Sequence, residues 1–465
     1  MRSPEEKTGE AAENADKTLF SAISALSAVF SFRWLVAKEY RELVASRAWW
    51  VLLLAMGPLV GVTFVSAVRT YGEASGLNGT AIGVGEAFSP LVGIWAPTFS
   101  ACEVAAVFLL PFVAIRLVSG DRQSGALKIE MQHPMPAMGR VAAKAIVLLG
   151  GWLVASLAPL AAVLLWKSYG GAVDTPELAT VLLGHLLNAG LTIALAFAAA
   201  AVTEHPSTAA IVTLSVTVGT WILNFIAAVQ GGIWERIAGY TPPAMVAEFQ
   251  HGLIRLDAVL VAGVLVVLGL VFTALWLRTG TPVRRRLQES VLAGAIAVLL
   301  LTAAAAVSPS WDLSENRMNS FPEPDERALA AIRAPLGIEV HLAPEDPRRV
   351  DLDRKAIAKL RRVMPAVRVK YLSATSIGLF EQTAPHYGEI WYELGGRREM
   401  SRSTTAESAL ETIYDLAGVK APAEGGDIYR GYPLAATPRG AAAVFYGIWP
   451  ASIVIAALLM RRVHT

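Results

Sequence analysis

The chain has 465 residues, of which 54% are apolar and only 17% are charged. This composition excludes an ordinary soluble globular protein and is typical of a protein that crosses a membrane several times. The formal net charge of +2 gives no indication of nucleic-acid binding, and the single cysteine, Cys102, excludes internal disulfides and multi-cysteine metal sites.

The N-terminal region is predicted to lie outside the membrane core. Residues 1–30 are expected to be disordered or interfacial, because they begin with mixed charges and their one apolar run, Leu19–Phe30, is too short to span. Ser31–Arg47 is predicted to form an amphipathic helix on the membrane surface, with a solvated flank of the first span as the alternative. Its apolar face would carry Trp34, Leu35, Leu43 and Val44.

Eight apolar runs are long enough, or nearly so, to cross a hydrocarbon core of about 30 Å as helices. They are Ala48–Val68, Leu91–Val118, Val141–Trp166, Leu178–Val202, Thr208–Val229, Ala258–Leu277, Val291–Val307 and Ala441–Met460. The seventh run is the shortest, so we expect it to borrow flanking residues. The fold class predicted for this part of the chain is a polytopic α-helical membrane protein.

The distribution of Lys and Arg predicts the orientation of these spans. With the N-terminus in the cytoplasm, the loops on that side hold most of the basic residues, including the run Arg284 to Arg286 after the sixth span. The opposite loops between the first six spans hold only four basic residues, Arg69, Lys167, Arg236 and Arg255. Both termini are therefore predicted to be cytoplasmic, and residues 308–440 extracytoplasmic.

Residues 308–420 are expected to form a small α/β domain, because strand-like and helix-like patterns alternate along them. At roughly 110 residues the segment can hold one core of its own. The predicted elements are strands at Gly337–Ala343 and Val367–Leu372, a hairpin at Gly388–Met400, and helices at Asp351–Arg362 and Thr404–Ala417. A linker at 421–439, rich in Pro and Gly, leads to the last span.

A polar segment, Ser119–Lys144, interrupts the apolar pattern between the second and third runs and is predicted to be cytoplasmic. It resembles the short cytoplasmic motif of type-2 ABC-transporter permeases, specifically of their gliding-motility-like branch. The residues that carry this resemblance are Asp121, Arg122, Gly125, Leu127, Pro134 and Lys144. Asp121 stands where that family usually has Glu, and Ala126 where it usually has Thr.

Two later segments are similar to the same systems. The first resembles the loop before the sixth span of these permeases through Tyr240, Pro242, Phe249, Gly252 and Asp257. The second resembles the start of the auxiliary extracytoplasmic protein that accompanies them, through Asp312, Leu313, Ser314, Glu315, Arg317 and Ser320, and the hairpin YGEIWYELGGRRE matches a later part of that protein. The segment is shorter than the usual auxiliary protein, which has a further α/β region before its last span.

The resemblance implies a permease of an ABC transporter fused to an auxiliary domain in the inner (plasma) membrane of a bacterium. Residues 31–280 would be the six-span permease domain, 287–307 the seventh span and 440–461 the eighth. The chain contains no G-x-x-x-x-G-K-[ST] motif, so no enzymatic activity and no cofactor are expected, and ATP hydrolysis is expected on a separate ATPase dimer. Further expected partners are a second permease copy and membrane lipid, but not nucleic acid.

The resemblance implies two groups of site residues, and the polar residues within the apolar spans give a third. The ATPase-coupling residues would be Asp121, Arg122, Gly125, Leu127, Pro134 and Arg41. The outer gate loop would contain Tyr240, Pro242, Phe249 and Gly252. The polar residues within spans, Glu103, His185 and Asn188, are candidates for a transport pathway, with a wet interfacial carboxylate and interhelical hydrogen bonds as the respective alternatives.

Two alternatives to these assignments remain at the level of sequence. Met131, His133, Met135 and Met138 have the thioether and imidazole groups that suit copper, but their predicted cytoplasmic position is already explained by coupling, and no metal site is predicted. The alternative function is a membrane scaffold that transports nothing and whose extracytoplasmic domain recruits a component of the envelope or cell surface.

Overall fold

The computed structural model describes residues 32–77, 88–126, 135–230, 233–343, 346–364, 366–372, 386–422 and 429–464. The predicted interfacial run Leu19–Phe30 lies outside these residues. Two residues of the predicted coupling segment, Leu127 and Pro134, also lie outside them. The same is true of Met131 and His133, two of the residues with groups that suit copper.

Eight helices in the described residues are long and apolar enough to cross a membrane, as the sequence predicts. In chain order they are Arg47–Ala74, Leu91–Ser124, Ala137–Ser168, Thr175–Val202, Pro206–Ala227, Leu256–Trp276, Val283–Ala305 and Ala443–Met460, called spans 1 to 8 below. The first four are the most buried and form the centre of the bundle, whereas spans 7 and 8 lie at its periphery.

Spans 2 and 3 are each interrupted near a proline. The α-helix of span 2 breaks at Leu109 and that of span 3 at Ser156. Pro111 and Pro159 follow these breaks, and neither has the N–H that would bond to the carbonyl four residues earlier. The helical hydrogen-bond pattern of both spans is therefore interrupted at these points.

Span 8 packs against span 1 at two glycines one helical turn apart. Gly57 faces the Trp449 ring, and a Cβ added at Gly61 would lie only 2.7 Å from the Cβ of Phe445. The Trp449 indole N–H also donates to the carbonyl of Leu53 at 2.8 Å. This is the small-xxx-small packing by which helices approach closely in a membrane.

Residues 32–45 form a helix that precedes span 1 and ends at Ser46. Leu35, Leu43 and Val44 are buried, as the predicted apolar face requires, but Trp34 is 57% exposed. Trp34 therefore lies on a different face from the other three, one residue before the buried stripe begins.

The second core belongs to an α/β unit that follows span 7. Its sheet has the order β4-β3-β5-β6, formed by Val367–Tyr371, Leu336–Val340, Ile390–Leu394 and Arg397–Ser401. Strands β3 and β4 are parallel, and the helical segment Pro347–Val363 connects them, while β5 and β6 form the predicted hairpin around Gly395 and Gly396. The helices Glu323–Ala331 and Ala406–Ala417 complete the unit.

The alternation along β3 explains why this sheet has one buried face. Leu336, Ile338 and Val340 are buried, and they pack with Ile390 and Tyr392 of β5. The unit sits at one end of the bundle, called the domain side below. The helix at residues 32–45 lies at the opposite end, which is called the clamp side after the cluster of charged residues described in the next section.

Candidate functional site

Four charged side chains meet on the clamp side where three elements come together. Lys38 and Glu39 lie in the helix at residues 32–45, Asp121 near the end of span 2, and Lys144 near the start of span 3. Glu39 is 0% exposed, Lys144 3% and Asp121 4%. We call these four residues the charge clamp.

Lys144 is the centre of the charge clamp. Its ammonium donates to both carboxylate oxygens of Glu39, at 2.7 and 2.8 Å, and to Oδ2 of Asp121. Lys38 closes the group by donating to Oδ1 of Asp121 at 3.1 Å and to Oε1 of Glu39 at 3.2 Å. Each carboxylate is therefore bound by two ammonium groups, and these ion pairs join the helix at residues 32–45 to spans 2 and 3.

Burial decides how much this arrangement matters. Buried charges are stable only when they are paired and hydrogen-bonded, and loss of one partner typically costs about 3–5 kcal/mol. Burial raises the pKa of Glu39, and the neighbouring Lys144 and Lys38 oppose that rise. The charge clamp thus holds its position only while all of its partners are in place.

Three carboxylates, those of Glu39, Glu42 and Asp121, come close enough together to bind a cation. Lys38 also bonds Glu42 at 2.8 Å, so the two ammonium groups already lie among these oxygens. The cations that balance this cluster are therefore the protein's own lysines, and the cluster does not indicate a metal site.

Arg122, the residue after Asp121 in span 2, binds a fourth element, span 4. One guanidinium nitrogen donates to the carbonyls of Ala200, Ala201 and Thr203 at 2.9, 3.0 and 2.9 Å. The carbonyls of Ala200 and Ala201 lie in the last turn of span 4, where helix carbonyls lack a partner within the helix, and Thr203 follows that turn. A cation there also interacts favourably with the helix dipole. The neighbours Asp121 and Arg122 therefore fix the end of span 2 in two directions.

The residues predicted to couple to an ATPase fall into two classes. Asp121 points inward and is buried, and Arg122 binds span 4, so both act on the bundle itself. Gly125 ends span 2 in a left-handed conformation with φ 76°, and Arg41 is exposed on the helix at residues 32–45. The structure thus leaves Gly125 and Arg41 at the surface beside the buried charge clamp.

Two open grooves meet beside these surface residues. A groove of about 620 Å³ is bounded by the helix at residues 32–45, the end of span 2 and the start of span 5, with Ser119, Gln123 and Ser207 among its lining residues. A second groove of about 350 Å³ is lined by Arg41 and Trp34. Both share Glu42, so they form one continuous surface next to the charge clamp.

The sequence analysis did not identify Glu39 as a site residue or Lys38 as its ion-pair partner, although the spacing of residues in this helix indicates that Glu39 is buried. Leu35, Glu39 and Leu43 recur every four residues, which places Glu39 on the buried stripe of the helix. An acidic residue in an apolar stripe requires a buried cation, and Lys144 near the start of the third apolar run is a candidate.

On the domain side, the predicted gate residue Tyr240 belongs to a compact charged group. Its hydroxyl donates to Oδ2 of Asp257 at 2.8 Å, and Arg255 binds the same carboxylate and also Glu248 at 2.6 Å. Burial raises the pKa of Glu248, and Arg255 opposes that rise. These contacts fix the loop between spans 5 and 6 against the first turn of span 6.

The short helix Pro242–Gln250 carries the other gate residues and packs on span 4. Pro242 is its first residue, where a missing N–H has no cost. Phe249 is buried against Gly184, where an added Cβ would lie 2.5 Å from the Phe249 Cβ. Gly184 therefore allows this helix to sit close to span 4.

The three pathway candidates are placed differently from one another. His185 is buried, stacks on Phe99 at 5.6 Å between ring centroids, and lies 3.3 Å from the amide nitrogen of Gln250. Asn188 is buried one turn further along span 4, whereas Glu103 is only partly buried in span 2. No hydrogen bond joins Glu103 to His185 or Asn188 in the part of the chain that the structure describes.

The α/β unit is fixed to the bundle by a two-stranded sheet. Strand β1, Leu253–Arg255, precedes span 6 and pairs in antiparallel register with β2, Ser310–Asp312, which follows span 7. The predicted gate residue Gly252 has φ 78°, and an added Cβ there would lie 3.0 Å from Ser314. Glycine is thus required at this junction for both its conformation and its lack of a side chain.

Asp312 organises the turn that leads into the unit. Its two oxygens accept hydrogen bonds from the backbone and side chain of Ser314, from the backbone and side chain of Asn319, and from the hydroxyl of Ser320. Arg362 of the unit donates to the carbonyl of Asn319. The motif that resembles an auxiliary protein therefore acts as the base of the unit.

A second attachment joins the base of the unit to the end of span 1, because the Tyr432 hydroxyl donates to the carboxylate of Glu315 in that base. The backbone N–H of Tyr432 donates to the carbonyl of Phe88 at 2.9 Å, and the Tyr71 hydroxyl lies 2.6 Å from that carbonyl and 2.8 Å from the carbonyl of Tyr432. Ala436 reaches Gly72, where an added Cβ would lie 2.5 Å from the Ala436 oxygen. We call residues 429–436 the strap.

Comparison with known families gives one match. Residues 33–253 match the family model described as ABC-2 family transporter protein. The match covers slightly under half of the chain: it includes the charge clamp, Arg122 and the predicted gate helix, and it stops before span 6. Neither the curated proteins nor the solved structures gave a match to this chain. The family match and the eight apolar helices support a multi-pass membrane permease of an ABC transporter.

Proposed function

Since residues 33–253 match the ABC-2 transporters, we propose that this chain is the transmembrane permease subunit of an ABC transporter and that a separate ATPase dimer drives it through residues 119–144. The observation that carries the proposal is the charge clamp, because it joins three elements of the bundle directly beside that segment. The proposal assigns no substrate to the transporter. It includes the fusion of the permease to an auxiliary domain of the gliding-motility-like branch.

In the proposed coupling, the ATPase binds the exposed surface, and the buried charge clamp then transmits the resulting movement to the rest of the bundle. The ATPase would contact the surface around Gly125, Arg41 and the grooves that meet at Glu42. Movement of the chain after span 2 would then be passed through Asp121 to the helix at residues 32–45 and to span 3. Arg122 would pass the same movement to span 4, so that four elements move together.

The domain side would contain the outer gate. The helix Pro242–Gln250 lies against span 4 next to His185, and Tyr240 is held through Asp257 at the start of span 6. Tilting of span 4 would therefore displace the gate helix, and the unit docked at Gly252 would move with it. In this arrangement His185 contacts the gate helix through Gln250, Asn188 lies one turn further along span 4, and Glu103 is the weaker pathway candidate.

The orientation proposed from the basic residues completes this account. The clamp side would be cytoplasmic and the α/β unit extracytoplasmic, in the plasma membrane of a bacterium. A permease homodimer would match the two subunits of the ATPase dimer.

Site-specific photo-crosslinking tests the coupling surface directly. A photoreactive residue at Gln123, which is exposed and lines the larger groove, should crosslink to a co-expressed candidate ATPase. The matched control is Thr70, which is exposed at the domain-side end of span 1 and should give no crosslink. Equal crosslinking from both positions, or crosslinking from Thr70 alone, would place the ATPase contact elsewhere.

A second measurement separates transport from scaffolding. The permease and its ATPase would be reconstituted in proteoliposomes, and ATPase activity would be followed with panels of lipids, peptides and ions. A substrate that stimulates hydrolysis and accumulates across the membrane supports a permease. Hydrolysis that responds only to an envelope component bound by the α/β unit supports the scaffold.

A further inference from the structure

A large apolar groove lies on the clamp side, on a different side of the helix at residues 32–45 from the proposed coupling surface. Its volume is about 880 Å³, which is in the range of pockets that bind small molecules, roughly 300–1,000 Å³. Four elements form its walls, namely the helix at residues 32–45, span 1, span 3 and span 8.

The groove runs from the end of the bundle into the membrane core. Its lining residues on span 3 extend from Ile146 to Val154, which are two and ten residues beyond Lys144 of the charge clamp. At about 1.5 Å per residue, the deepest of these lies roughly 15 Å beyond Lys144, or about half of a 30 Å hydrocarbon core. The groove therefore occupies the part of span 3 between Lys144 and the break at Ser156, within the apolar length of the span.

The walls of the groove are apolar and leave room for a chain of carbon atoms. Leu53, Val147 and Ile453 line it, and Gly150 gives it depth, because an added Cβ at Gly150 would meet no heavy atom within 4 Å. Water is disfavoured on such a surface. At this depth the surrounding medium supplies lipid tails instead.

The mouth of the groove carries aromatic residues and a cation. Trp50 is fixed by an indole N–H bond to the carbonyl of Val44 at 2.6 Å, and Tyr40 is exposed beside it. Such residues typically lie at the level of the lipid headgroups. Arg33 also lines the groove, is exposed, and makes no hydrogen bond or ion pair with another residue in the described ranges.

We propose that this groove is a binding site for one anionic phospholipid, with an acyl chain against Gly150 and the phosphate on Arg33. The occupant follows from the joint presence of an apolar channel at bilayer depth and a cation at its mouth. The lipid would brace the helix at residues 32–45 against spans 1, 3 and 8 on the face that the charge clamp does not reach. Its binding is independent of the ATPase and of whether the chain transports anything.

Binding can be measured on the full chain in nanodiscs and by native mass spectrometry. The probe is phosphatidylglycerol in a phosphatidylcholine background, and the readout is the anionic lipid retained per chain after detergent washing. Arg33→Gln should weaken retention about fivefold, since one basic residue near the surface contributes about 1 kcal/mol. Gly150→Leu should also lower retention, because the added side chain projects into the path of the acyl chain.

Two matched variants serve as controls. Arg41→Gln removes an exposed cation that lines the other groove of the same helix, and Gly219→Leu fills equally open space on span 5. Both should retain phosphatidylglycerol as the unaltered chain does. Equal loss in these controls, unchanged retention in Gly150→Leu, or equal retention of phosphatidylcholine by the unaltered chain would each overturn the proposal.

Discussion

Replacement of Lys144 by Met should destabilise the protein more than any other single change in the charge clamp. The methionine has a similar length, so it removes the ammonium group while leaving little empty space. Glu39 and Asp121 then remain buried with only Lys38, whose side chain is 19% exposed and bonds both at longer distances. Loss of one partner from a buried ion pair predicts a decrease of about 3–5 kcal/mol in the free energy of unfolding.

The measurement is equilibrium unfolding in mixed micelles of SDS and a mild detergent. The matched comparison is the triple variant Glu39→Gln, Asp121→Asn, Lys144→Met, which removes the charges that Lys144 neutralises. It should recover most of the lost stability, because neutral groups of the same shape leave no unpaired buried charge. A Lys144→Met variant within about 0.5 kcal/mol of the unaltered chain, or a triple variant no more stable than the single one, would refute the reasoning.

The same variant should show a changed dependence on pH. Burial raises the pKa of Glu39 above its usual 4.5, and Lys144 opposes this rise, so its removal should raise the pKa further. A carboxyl group with a raised folded-state pKa favours folding when it is protonated. The deficit of Lys144→Met should therefore shrink as the pH falls from about 7.5 to about 5.5, and a deficit that grows in acid would contradict this account.

Three further changes test the other junctions. Arg122→Gln should cost about 1 kcal/mol of unfolding free energy by removing the bonds to the end of span 4, with Arg122→Lys as the milder control, and equal losses in both would argue against the guanidinium geometry. Gly252→Ala should cost about 1–3 kcal/mol through its positive φ and the contact with Ser314, and should speed proteolytic release of the α/β unit, which an unchanged cleavage rate would disprove. Gly61→Ile should displace Phe445 and abolish disulfide trapping between cysteines placed in spans 1 and 8, whereas efficient trapping would mean that span 8 sits elsewhere.

The eight spans and most elements of the α/β unit could be predicted from the sequence because each depends on local patterns. Long apolar runs predict spans whatever their neighbours are, and the hairpin turning at Gly395 and Gly396 is specified by the residues of its own turn. The observed strand Leu336–Val340 ends three residues before the predicted one, and backbone pairing with the β5 side continues only to His341.

The partners of the site residues could not be predicted in the same way, because they depend on contacts between distant parts of the chain. Asp121 and Lys144 were selected as parts of an exposed segment, yet 83 residues separate Lys38 from Asp121 in the chain, and no local pattern joins them. The pairing of β1 with β2 likewise links two segments on either side of spans 6 and 7. A resemblance to a motif indicates that such residues matter without indicating which residues they touch.

The two attachments of the α/β unit have a mechanical consequence. The base of the unit is joined to the start of span 6 through β1 and β2. The strap contacts the same base, because the Tyr432 hydroxyl donates to Glu315, and it binds beside the end of span 1 through Tyr71 and Phe88. The base of the unit therefore links the domain-side ends of spans 1 and 6. If these two ends are to move apart, either the pairing of β1 with β2 or the contacts of the strap must break. The weaker of the two sets of contacts therefore sets the force needed to open this side of the bundle.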